Sequence, residues 1–174
     1  MKDHSISNTP QKILIFGNSG SGKSTLARTF SQSNHTAHLD LDTLAWLPTQ
    51  PPQRMPLSES EWAIKQFMNE NDQWVIEGCY TDLLALAADE ATEIIYLDLS
   101  IDDCIKNAKG RPWEPHKYAS KQAQDDNLDM LISWICDYHT RNDVFSKKSH
   151  EAFFNNFHGK KTRLSTRPDT SEIC

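Results

Sequence analysis

The 174-residue chain has no apolar run approaching the roughly 20 residues that span a bilayer. Its longest, around Lys12 to Phe16 and Ile94 to Leu97, have the length of buried strands. A basic excess is also absent: 18 Lys and Arg stand against 24 Asp and Glu, for a formal charge of -6. No global field draws nucleic acid or an anionic membrane, so any anion must be caught locally, and neither nucleic acid nor a membrane is expected as a partner. The four cysteines, Cys79, Cys104, Cys136 and Cys174, are scattered without a CxxC pair. That spacing argues against a disulfide framework or a cysteine zinc site and predicts reduced thiols, three of them packed among apolar neighbours. His35 and His38 are offset by three and would point to opposite faces of a strand, so zinc is not expected there either. Met1 to Pro10 is polar and lacks the apolar core and small-residue cleavage site of a secretory signal. It predicts a flexible leader and a cytoplasmic setting.

What is present is an alternation of strand and helix patterns over one domain, residues 11–174. Gln11 to Phe16 is a continuous β-prone run, as in a strand buried on both faces, and Lys23 to Phe30 then places Leu26, Ala27 and Phe30 at helical spacing. Thr36 to Leu39 predicts a second strand, ending in Asp40 and Asp42. Four prolines within Leu47 to Pro56 predict an exposed, mobile loop without ladders, because proline fixes φ and lacks a donor. Ser58 and Glu61 have capping-box spacing for a helix to Asn69, and Ser100 with Asp103 repeats the device for a helix to about Lys109. Strands are predicted over Gln73 to Ile76, Glu93 to Leu99 and Lys161 to Ser165, with a helix over Asp82 to Ala88. A long amphipathic helix runs from Leu128 to near Arg141, followed by another around Ser149 to Asn156. The implied fold is a three-layer α/β/α sandwich with a mostly parallel five-stranded sheet. The tryptophans Trp62, Trp74 and Trp134 read as packing anchors, whereas Trp46 and Trp113 fall in loops.

Gly17-Asn18-Ser19-Gly20-Ser21-Gly22-Lys23-Ser24 matches G-x-x-x-x-G-K-[ST] in full, Thr25 follows, and the match lies between a predicted buried strand and a helix. In such a loop the glycines let successive N–H groups converge on phosphate oxygens, and the helix start adds its positive pole. Lys23 would reach the β- and γ-phosphates, and the Ser24 hydroxyl would serve Mg²⁺. ATP and Mg²⁺ are the expected cofactors. No N-K-x-D guanine motif and no LSGGQ-like signature accompanies the loop, which disfavours GTPases and ABC ATPases.

With that loop, the segments from His38 to Trp46, Trp74 to Tyr80 and Tyr96 to Asp98 resemble P-loop kinases of the small-molecule and nucleotide group. More narrowly, they are similar to adenylate-kinase-like DNA-topology-modulation (FlaR-type) proteins. The resemblance covers about Lys12 to Arg111 and is thinner beyond. It implies sheet order 2-3-1-4-5, an acceptor segment near residues 40–72 and a lid near 110–122. It also implies that Asp40 or Asp42 touches Mg²⁺ through water or takes the acceptor's proton; helix capping by Asp42 is the alternative. Glu77 is favoured over Asp98 as the Walker-B-like carboxylate. Arg111 matches a lid arginine on the transferring phosphate, with a surface arginine as the alternative. Arg141 is a second catalytic candidate, or only a favourable charge at a helix end. Arg167 falls where adenine-contacting loops lie. The reading is a kinase acting on a small acceptor, as a monomer or homodimer; a nucleotide-dependent switch acting on a macromolecule is the other class left open.

Overall fold

A computed structural model describes residues 9–166. Its elements are β1 (Lys12–Gly17), α1 (Lys23–Asn34), β2 (Ala37–Asp40), α2 (Asp42–Ala45), β3 (Trp46–Leu47), β4 (Gln53–Arg54), α3 (Leu57–Glu70), β5 (Trp74–Gly78) and α4 (Thr81–Ala88). They continue with β6 (Glu93–Leu97), α5 (Ile101–Lys109), α6 (Lys121–Asp126), α7 (Leu128–Cys136), a 3₁₀ turn (Asp137–His139), α8 (Lys147–Asn156) and β7 (Lys160–Leu164). The main sheet runs β2-β5-β1-β6-β7, all neighbours parallel. Counting only its five strands in chain order, this is 2-3-1-4-5.

The run Ile13 to Phe16 is apolar throughout because β1 is central and covered on both faces. Leu14 and Phe16 share one side with Ile76, Ile94 and Tyr96, packing with residues of α3, α4 and α8. Ile13 and Ile15 share the other with Val75, Ile95 and Leu97, against Leu26 and Ala27 of α1, Cys104 and Ala108 of α5, and Ile135 of α7. This period-2 division builds the three layers. Fully burying each Ile or Leu contributes roughly 1.5–3 kcal/mol. Phe16 stacks on Tyr96 with ring centroids 4.9 Å apart, which ties β1 to β6.

Beneath that pair runs a buried polar chain. Cys79 offers its carbonyl to His150 Nε2 at 2.8 Å, so Nε2 carries the ring proton. Nδ1 is left to accept from Tyr138 Oη at 2.7 Å, and Tyr138 lies 2.8 Å from Tyr96 Oη. Burial lowers the His150 pKa from 6.5 to about 4. Between those values the unfolded chain binds a proton that the folded chain excludes. This histidine's contribution is therefore complete above about pH 6.5 and is lost as pH falls through 4, by on the order of 3 kcal/mol. His150→Gln can keep both hydrogen bonds without titrating. The wild-type advantage over it in urea unfolding is expected to shrink between pH 7 and 4.5; parallel pH profiles would contradict the assignment.

Several local expectations change in three dimensions. The proline-rich segment contains a short antiparallel ladder, Trp46 with Arg54 and Leu47 with Gln53, because the paired residues are not prolines. Ser58 is not a cap: α3 begins one residue earlier, after Pro56, and no side chain caps it. Ser100 does cap α5, accepting from Asp103 N at 3.1 Å. The helix expected to reach Arg141 stops at Cys136 and tightens into the 3₁₀ turn, while α6 had no periodic signal of its own. Trp74 is buried, but Trp62 is 70% exposed and anchors nothing. Cys79 and Cys104 are buried thiols, Cys136 is exposed, and Cys174 lies outside the described residues. Among the described residues no helix is long and apolar enough to cross a membrane.

Candidate active site

The end of β1 and the start of α1 are joined by residues 18–22. Gly20 has φ +78°, and a Cβ there would collide with the Cys104 carbonyl oxygen of α5. Glycine is therefore required both for the turn and for the approach. The loop is pinned from outside: Asn107 Nδ2 donates to Gly20 O at 2.8 Å, and buried Asn18 donates its Nδ2 to Ile135 O at 3.2 Å. Serine side chains cap α5, α6 and α8, whereas α1 has neither a side-chain cap nor an acidic residue in its first turn. The start of α1 therefore has neither cap nor counter-charge from its own first turn. Lys23 Nζ folds back to donate to Asn18 O at 2.8 Å.

Pairing of Asp40 with Glu77 across β2 and β5 brings two carboxylates to the same end of the sheet. Ser24 Oγ donates to Glu77 Oε1 at 2.7 Å, and His38 Nε2 lies 3.4 Å from the same oxygen. Glu77 is only 2% exposed. Asp98, its rival, is engaged elsewhere: Lys147 Nζ and Arg163 Nη2 reach its two oxygens at 2.7 and 2.6 Å. Burial would raise the Asp98 pKa, but those two cations hold it below the ordinary carboxylate range.

Asp40 and Asp42 form one unit. Asp40 Oδ1 accepts from Asp42 N at 2.9 Å, and Tyr80 Oη donates to Asp42 Oδ1 at 2.5 Å while accepting from Trp46 Nε1 at 2.9 Å. From the opposite side Lys117 Nζ approaches Asp42 Oδ2 at 2.8 Å and Asp40 Oδ2 at 3.3 Å. Burial, then repulsion from Glu77 and Asp42, raises the Asp40 pKa to about 6. Burial opposes ionisation of Asp42 as well, but the Lys117 charge, with hydrogen bonds from Lys117 and Tyr80, brings its pKa below the usual value. Asp42 is thus the member of the pair held ionised.

These groups surround a cavity of about 330 Å³, lined by Gly20, Gly22, Lys23, Ser24 and Thr25 on one side and by Asp42, Glu77 and residues 110–118 on the others. Arg111 lines it, with Nη1 3.1 Å from Glu114 Oε2 and a buried Nε that has no protein partner. Asp40 stands just behind the lining, against Lys117. Arg141 is not brought to the cavity: it is paired with Asp143 at 2.7 Å and lies 3.7 Å from the Trp134 ring centre. Arg167 lies outside the described residues. Sequence reasoning missed Lys117, Glu114 and Tyr80, since neither spacing nor periodicity signals a contact between residue 117 and residues 40–42.

No family model matches the chain, and no curated protein matches it in sequence. Among solved structures, the chain is similar to an unliganded sugar kinase from Janibacter sp. HTCC2649, at 10% sequence identity. The match covers 94% of this chain and 90% of that one, with a TM-score of 0.49.

Proposed function

We propose that the chain is a kinase that transfers the γ-phosphoryl group of ATP to the hydroxyl of a small acceptor. The observation that carries this reading is the glycine loop closing on an uncapped helix start, with Lys23 poised across it and the Ser24–Glu77 pair beside it. Residues 18–25 bind the nucleotide phosphates through N–H groups, and Lys23 exchanges Asn18 O for a phosphate oxygen. Mg²⁺ fits the donors present. Among the described residues no group of three or more His, Cys, Asp or Glu could hold a metal alone, and Mg²⁺ characteristically takes one or two protein oxygens beside phosphate and water. Ser24 and Glu77 would hold it, with Asp40 reaching its waters. When bound, it would neutralise charge on the β- and γ-phosphates.

Asp42 accepts the acceptor's proton as the new O–P bond forms, and the electron pair of the broken bridge bond leaves with ADP. Arg111, which lines the cavity, supplies a cationic donor to the moving phosphoryl group. Acceptor class follows from the basic residues of segment 40–72. Arg54 is committed to Asp82 at 3.0 Å and lies over the Tyr80 ring, while Lys65 is paired with Glu61 on the exposed face of α3. Neither is free to hold an acceptor phosphate, so a neutral hydroxyl compound is favoured over a nucleoside monophosphate.

The test is an ADP-release and thermal-shift screen with Mg-ATP against polyols, sugars, nucleosides, nucleotides and coenzyme precursors. A kinase should give a compound that both stabilises the protein and accelerates ADP release. Stabilisation by Mg-ATP with no acceptor-dependent turnover anywhere in the panel would favour a nucleotide switch instead.

A further inference from the structure

Residues 110–118 contain no regular helix or strand beyond the end of α5, so no backbone ladder fixes them over the cavity. Their internal order comes from Glu114, whose carbonyl accepts from Lys117 N and Tyr118 N at 3.0 Å each, and from Trp113 Nε1, which donates to Tyr118 O at 3.0 Å. The Glu114 N–H donates to Gln124 Oε1 at 2.8 Å, which ties the segment to α6 on one side. Across the cavity mouth the ion pairs are few. Among the described residues, those from this segment to the acceptor side are made by Lys117 to Asp42 and Asp40, and by His116 to Asp40 at 3.9 Å.

We propose that Lys117 is the positioning residue of the lid: its ammonium, seated between Asp42 and Asp40, docks residues 110–118 on the acceptor carboxylates and thereby holds Arg111 facing the phosphate loop. The transmission is a chain of charges, since Glu114 Oε1 lies 3.8 Å from Lys117 Nζ and Glu114 Oε2 lies 3.1 Å from Arg111 Nη1. The Lys117 side chain is only 18% exposed, so the pair is screened less than a surface ion pair and its loss leaves two carboxylates uncompensated. The clasp is made to the same residues that would receive the acceptor. Occupancy of the acceptor site and closure over the nucleotide are therefore coupled through one side chain, whatever the acceptor is. The docking itself is independent of the kinase reading, and only its consequence at Arg111 rests on it.

The test begins without nucleotide, by amide hydrogen exchange of wild type, Lys117→Met and Lys117→Arg. Methionine keeps the stem and removes the charge. Exchange across 110–118 is expected to be about tenfold faster in Lys117→Met, with α5 and α7 unchanged, and to return close to wild type in Lys117→Arg. Asp42→Asn, which removes the partner instead, is expected to loosen the same segment and covers the case that Lys117→Met fails to fold. Unchanged exchange across 110–118 in the folded variants overturns the proposal. A second readout is dissociation of a fluorescent ATP analogue with Mg²⁺, expected to be about tenfold faster in Lys117→Met and restored by arginine. Faster exchange with unchanged dissociation overturns the positioning of Arg111. No nucleotide binding by wild type sinks the kinase reading, and the exchange result then decides the docking by itself.

Discussion

Lys23→Met is expected to lower phosphoryl transfer by roughly 10²–10³-fold and to weaken ATP binding, with the urea midpoint close to wild type. The asymmetry follows from what Lys23 does in the unliganded chain. Its ammonium makes one hydrogen bond, to the Asn18 carbonyl, which also accepts from Ser21 N at 3.2 Å. Removing it leaves no orphaned buried acceptor, so folding loses little. A triphosphate in the loop would instead meet an uncapped helix start with its strongest local cation missing. The check is ATP affinity by calorimetry beside unfolding by circular dichroism. Wild-type affinity in a folded Lys23→Met protein would remove the loop from the nucleotide site.

Asp42→Asn carries the second large effect, a fall in kcat of roughly 10²–10⁴-fold. An amide preserves the shape and can still accept from Tyr80, but it cannot take the acceptor's proton. The variant also releases Lys117, an effect separable from the chemistry: Lys117→Met keeps Asp42 and should be far more active than Asp42→Asn. Single-turnover transfer with a saturating acceptor separates the two, because a loosened lid alters nucleotide retention whereas loss of the base slows the chemical step. If Asp42→Asn transfers at the wild-type rate, another group activates the acceptor. Asp40 is then the next candidate: burial and two neighbouring carboxylates raise its pKa to about 6, nearer the working pH of a general base, although it stands behind the cavity lining.

The parts of this site that could be read from the sequence are those encoded over short distances. Residues 17–24 carry their own geometry, because glycine, lysine and serine at fixed spacing dictate a turn followed by a helix start. The apolar run of β1, the helical pattern of α1 and the Ser100 cap are likewise local, and the alternation they establish constrains the sheet order. Glu77 was distinguishable from Asp98 only by analogy in sequence. In the structure the distinction is physical, since Glu77 meets Ser24 while Asp98 is saturated by Lys147 and Arg163. The Asp40–Lys117 contact spans more than seventy positions and joins a strand end to an irregular loop, so no periodicity could announce it. Arg141 shows the converse, a plausible charge at a helix end that tertiary packing commits to Trp134 and Asp143.

The ends of the sheet are governed by a different requirement. A parallel sheet that stops must leave one side of each terminal strand without a ladder partner, and such a side can template the addition of foreign strands. β7, at one end of the order, reads Lys160-Lys161-Thr162-Arg163-Leu164, with three cations in five residues and Lys160, Lys161 and Arg163 exposed. Lys160 reaches Glu93 of β6 at 3.3 Å and Arg163 reaches Asp98 just past it, so the strand is secured to its neighbour by charge as well as by its ladder. A second copy approaching that rim would bring its cations against the same cations. The rim that closes the fold thus also resists its propagation into an aggregate.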